Sequence, residues 1–134
     1  MSADAPISAV RFRVEIDGLR ESRALEVVFP EARIAARRSA RAANAVQFGP
    51  LILARVLTGS NEWYDWWNAA RHKARRIDRT TTVIMLDASG GDARRSTFAR
   101  TRPVAYQLSS LNATSEQLLI ERMELVVGDF LLGA

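Results

Sequence analysis

The 134-residue chain contains no cysteine and a single histidine, His72. The first absence excludes disulfides and thiolate metal sites. The second excludes multi-histidine metal centres and histidine pairs. Lysine is nearly absent too: Lys73 is the one lysine among 19 basic residues, and the others are arginine. No apolar run approaches the ~20 residues that span a bilayer, so no membrane anchor is expected. Residues 1–9 carry an acid and a proline instead of a basic segment followed by an apolar one, which does not read as a secretory signal. Cytoplasmic synthesis is expected, with release as part of an assembled particle.

Catalytic chemistry has little to work with. His72 sits between Arg71 and Lys73, and no carboxylate is placed locally to orient it as a triad requires. Gly90 and Gly91 form a turn pair without the following helix of a phosphate loop. Asp87 and Asp92 flank that turn and read as a polar hairpin tip. The chain is therefore expected to be no enzyme and to need no cofactor.

What is present suits one globular domain spanning residues 1–134, with 1–9 as a flexible N-terminus. Hydrophobic residues make up 48% and charged residues 25%. Residues 10–16 alternate apolar and charged, the period of a half-buried strand with Val10, Phe12, Val14 and Ile16 inward. A second extended stretch, 25–34, is interrupted by Pro30, which places it at an edge or bulge. Residues 51–57 follow Gly49 and Pro50 and read as a mostly buried strand. Ser60 is the expected N-cap of the helix that follows. In that helix Trp63, Trp66, Trp67 and Ala70 fall at i, i+3, i+4 and i+7, which puts the three tryptophans on one face. This face is expected to be core, with Tyr64 pointing elsewhere towards an interface. Residues 80–86 and 93–101 form a hairpin, 103–108 a short strand, and 116–127 a long final strand. The sum is six or seven strands and one helix, a small β-barrel of two packed sheets with the helix against it.

A net charge of +4 admits a polyanionic partner. Neither arginine-rich run, 33–41 or 71–79, carries the interleaved aromatics of a single-strand-binding surface. A basic nucleic-acid-binding module is the rival reading from another class. Residues 34–44 read as an exposed basic loop or hairpin arm that orders against a neighbour.

Seven short motifs occur in an order that resembles the phage tail tube family of contractile tails and phage-tail-like injection systems. They are FRVEIDG (12–18), GPLILARVLTGS (49–60), EWYDWW (62–67), VIMLD (83–87), PVAY (103–106), SLNA (110–113) and IERMEL (120–125). The resemblance implies a β-barrel subunit forming hexameric rings that stack into a hollow tube. Contractile sheath and baseplate proteins would be its partners, and effector or DNA a possible lumen cargo. It also implies that the arm in the region of residues 34–44 contacts the next ring; Arg33, Arg37, Arg38 and Arg41 are expected to pair there with Asp87, Asp92 or Glu116 of the neighbour. Two departures stand out: 34–44 holds no glycine where the family has a Gly-rich arm, and 97–102 lacks a tryptophan. Both fit a specialised paralogue such as the tube-initiating ring at the baseplate.

Overall fold

The computed structural model describes residues 5–20, 24, 26–34, 45–73 and 77–133. Nine strands and one helix lie among them: β1 (Phe12–Ile16), β2 (Glu26–Val28), β3 (Ala32–Ile34), β4 (Val46–Phe48), β5 (Leu51–Val56), α1 (Glu62–Arg71), β6 (Arg79–Leu86), β7 (Asp92–Leu108), β8 (Ile120–Val126) and β9 (Asp129–Gly133). All strand pairings are antiparallel.

Two layers share one strand. The first half of β7 lies between β6 and β9, with β1 beyond β6, and this is sheet A. The second half pairs with β8, followed by β5 and β2, and this is sheet B. The sequence reading split β7 at Pro103; the chain instead continues through it as one 17-residue strand. Proline removes a ladder donor and is tolerated at bulges, and the register shifts between Pro103 and Ala105. The bend between layers is made at Arg100, in the left-handed region at φ 53°. Pairing with β6 is irregular there, as at a bulge that re-aims a strand. Across from it, Gly128 separates β8 from β9 and donates its N–H to the Ala99 carbonyl at 3.0 Å. A Cβ on Gly128 would lie 2.6 Å from Arg100 Nε, so only glycine fits this joint.

Strand parity builds the core. Val14 and Ile16 of β1, Leu51 and Leu53 of β5, Met123 and Leu125 of β8, and Phe98 of β7 are buried together with Trp63 and Trp66. Val10 was expected inward but precedes the strand and is exposed. The stretch 25–34 divides at Pro30 into β2, at the edge of sheet B, and β3. Among the described residues β3 pairs only with β4, forming a separate two-stranded arm. The final strand starts at Ile120 instead of residue 116, and β9 follows where no strand was expected. The helix N-cap is Asn61, one residue later than expected, with no side-chain cap bond. Ser60 Oγ accepts from the Glu62 N–H at 3.4 Å.

Candidate assembly surfaces

α1 serves two surfaces. Trp63 and Trp66 are buried as expected, and Trp66 Nε1–H donates to the Ile77 carbonyl at 2.6 Å. Such anchors give a short helix its stability, because tertiary packing outweighs propensity at this length. Trp67 is only half-buried. Its ring lies 5.9 Å from Tyr64 and 6.2 Å from Tyr106, and the two tyrosines meet edge-to-face at 5.7 Å. The three rings bind α1 to the second half of β7. Tyr64 is thus an exposed member of an aromatic cluster.

Beneath that cluster lies a polar network that sequence reasoning missed. Arg55 and Glu121 are buried between the layers, and Arg55 Nε lies 2.5 Å from Glu121 Oε1. Tyr106 Oη–H donates to Glu121 Oε2 at 2.5 Å. The Arg55 guanidinium stands 4.0 Å from the Trp63 ring centroid, a cation–π contact strengthened by exclusion of water. Burial first, and then the Glu121 carboxylate, push the Tyr106 hydroxyl well above its ordinary pKa. A signal was available: Leu51, Leu53 and Arg55 share one parity, as do Glu121, Met123 and Leu125. A charge at a core position on each of two strands points to a buried pair.

Among the described residues sheet B is open on both sides: β2 pairs only with β5, and no strand covers the outer edge of the second half of β7. Its outward face carries Ile52, Ala54 and Val56 of β5, bordered by Glu26, Arg122 and Glu124. Glu26 and Arg122 pair at 3.2 Å across Ala54. Arg102, at the end of this face, pairs with Asp78 at 2.9 Å.

The arm lies between the end of β2 and the start of β5. Arg33 is exposed on β3 and pairs with Glu31 at 2.7 Å; Arg37, Arg38 and Arg41 lie outside the described residues. Of the acids considered as acceptors, Asp87 holds the β6–β7 turn, accepting from the Ser89 hydroxyl and the Ser89 and Gly91 N–H groups. The Ser89 hydroxyl and then the Gly91 N–H hold its carboxyl below the usual range. Asp92 pairs with Arg13 and Arg95. Glu116 lies exposed in the 109–119 loop. His72 is exposed at the C-cap of α1. Among the described residues no helix is long and apolar enough to cross a membrane.

Among the described residues sheet B thus has open edges and an apolar row facing outward, and the β3–β4 arm pairs with neither layer. The chain belongs to the T4-like virus tail tube protein gp19 family, whose model matches residues 8–130, and so is a tail tube protein. Members of this family are structural proteins, not enzymes. No curated protein matches it. Among solved structures, it is similar to a chain of the PVC extracellular contractile injection system sheath–tube complex in the extended state. That match has 16% identity and a TM-score of 0.76, covering 98% of this chain and 94% of the other. A chain of the PVC sheath/tube terminator shares 16% identity with a TM-score of 0.79, covering 99% and 100%. Hcp1 from Flavobacterium johnsoniae shares 17% identity with a TM-score of 0.67, covering 91% and 94%. These likenesses show the same fold: mainly β, two sheets and one helix.

Proposed function

We propose that the chain is an inner-tube subunit of a contractile phage tail or injection particle. Copies join laterally, the β2 edge of one meeting the β7 edge of the next, and close into a hexameric ring. The carrying observation is the four-strand sheet B, both of whose edges are open among the described residues. Closure removes edges that would otherwise invite aggregation, and rotational symmetry makes the contacts heterologous and self-closing. The outward face of sheet B then lines the lumen. Its arginines, Arg102 and Arg122, are matched by Asp78 and Glu26, which suits passage of cargo over retention. Rings stack into a tube inside a contractile sheath, seated on baseplate proteins.

The basic balance of the chain does not favour nucleic acid over this reading. Arg13, Arg20, Arg33, Arg55, Arg95, Arg102 and Arg122 all pair with carboxylates of the same chain. A specialised ring at the baseplate or tube end is the second reading, favoured by the glycine-free segment 34–44. Copy number in purified particles separates the two: one ring per particle for the specialised subunit, many for the main tube. The primary test is negative-stain electron microscopy of the purified protein with light scattering. Rings or stacked tubes are expected, whereas a monomer with steeply salt-dependent DNA binding refutes the tube reading.

A further inference from the structure

The two layers do not end together. Sheet A carries one inward row that sheet B leaves half-covered: Phe12 of β1 stands opposite Met85 of β6, and Met85 opposite Arg94 of β7. The row behind it, Val14, Val83 and Ser96, is buried. At the half-covered row a groove of about 430 Å³ opens, bounded by Val27 and Phe29 from the sheet B side and by Leu132 of β9. Its apolar lining reaches solvent: Phe29 is 46% exposed and Leu132 50%.

The charge on this groove has one sign. Among the described residues its charged lining consists of Arg11 and Arg94. Arg11 Nη1–H donates to the Ala88 carbonyl at 2.9 Å, and Arg94 Nε–H to the Gly133 carbonyl at 3.0 Å. Neutral carbonyls hold both guanidinium groups at the rim without neutralising them, and each fork keeps donors for a further acceptor. Among the described residues no carboxylate pairs with either. The acids of the adjoining β6–β7 turn are engaged elsewhere, Asp87 by Ser89 and Gly91 and Asp92 by Arg13 and Arg95. β1 and β7 lie two strand spacings apart, roughly 10 Å, which an extended chain covers in about three residues.

We infer that this groove is a docking site for an extended segment of another protein, one with apolar side chains between two carboxylates about three residues apart. The apolar side chains fill the slot between Phe12, Phe29, Met85 and Leu132. The carboxylates pair with Arg11 and Arg94, whose planar forks match them. A nucleic-acid strand needs a track of cations along its phosphates, and two arginines over an apolar slot do not supply one. This chain's own exposed segment 109–119 fits poorly. It carries one carboxylate, Glu116, and is folded on itself, with Asn112 Oδ1 accepting from the Thr114 N–H at 3.0 Å and from the Thr114 hydroxyl at 2.7 Å. Every residue of the site lies on one copy, so it stands whether or not rings form.

Fluorescence anisotropy of the full chain with two labelled nonapeptides is the test. The first peptide carries leucines around two glutamates about three positions apart; the second has lysines in place of the glutamates. Saturable binding of the first and none of the second is expected on wild-type protein, where no variant's folding enters. Arg11→Glu and Arg94→Gln should each weaken binding by about tenfold or more, as for loss of a charge-assisted hydrogen bond. Arg71→Glu, the same charge reversal on α1, should stay within about twofold of wild type, since exposed charges outside the contact are screened by salt. A lysine peptide that binds as well, a glutamate peptide with no saturable binding below about 1 mM, or either groove variant binding like wild type overturns the inference. So does tighter binding of a thymidine oligonucleotide, which would make the groove a nucleic-acid site. Loss of self-association in Arg11→Glu, read by sedimentation, overturns it too and makes a second copy the occupant.

Discussion

Replacing Glu121 by alanine tests the buried network directly. Glu121 is 1% exposed and Arg55 8%, so both charges are largely withdrawn from water. The carboxylate accepts from Arg55 at one oxygen and from Tyr106 at the other. Removing it strands a buried guanidinium, one of whose nitrogens, Nη2, has no hydrogen-bond partner even in the native protein. Breaking a buried pair from one side costs about 3–5 kcal/mol. With an unfolding entropy of about 2.1 cal/mol/K per residue, this chain length gives a fall in Tm of roughly 11–18 °C. Urea titration and calorimetry of the subunit under non-assembling conditions are the assays. The triple change Arg55→Met, Glu121→Leu and Tyr106→Phe should lie within about 2 kcal/mol of wild type, since apolar replacement of a whole buried pair is often neutral or stabilising. A Glu121→Ala loss below about 1 kcal/mol refutes the reasoning and means that water reaches Arg55.

Three further outcomes are expected. Tyr106 has its pKa raised in the fold from an ordinary value of 10.0; its contribution to stability is complete below pH 10 and lost as pH rises towards the folded value. Urea midpoints should therefore fall above pH 10 in wild type and fall less in Tyr106→Phe. Gly128→Ala should destabilise by about 1–3 kcal/mol by thermal melting, because overpacking forces backbone shifts and the added Cβ meets Arg100 Cβ at 2.8 Å and the Ala99 carbonyl at 3.1 Å. Val104→Lys, on the bulged and half-exposed part of the β7 edge, should change subunit stability by less than about 0.5 kcal/mol. It should nonetheless abolish rings in light scattering, as edge lysines block strand pairing; intact rings would show that another edge joins the copies.

Elements with strong period were legible in the sequence. Residues 12–16, 51–56 and 62–71 stand where alternation or helical spacing put them, because a buried face leaves a residue-by-residue record. β4 leaves none: it is three residues long, largely exposed and paired with β3, so no apolar period marks it, whereas β2 and β3 fall within the extended stretch 25–34. β7 was divided because proline usually ends a strand, and the bulge that accommodates Pro103 depends on a partner strand that local sequence cannot reveal. The tryptophan face was read as one unit, yet it divides by depth: Trp63 and Trp66 reach the core, while Trp67 stops at the tyrosines. Of the four arm arginines, only Arg33 lies among the described residues, and it is matched locally by Glu31.

The outward row of β5 ties these strands to assembly. An antiparallel sheet with one face in water normally alternates apolar and polar residues, and β8 does so, with Arg122 and Glu124 outward between Met123 and Leu125. β5 does not: Ile52, Ala54 and Val56 give its outward side no polar atom. Ala54 is nonetheless buried, because Glu26 and Arg122 close over it. A small residue is required at that position, since a longer side chain would part the pair and leave a free cation on the face. In a ring closed as proposed above, this row recurs once per subunit, bordered by the Glu26–Arg122 pair and by Glu124, so the wall is apolar along β5 with its charges confined to the neighbouring strands.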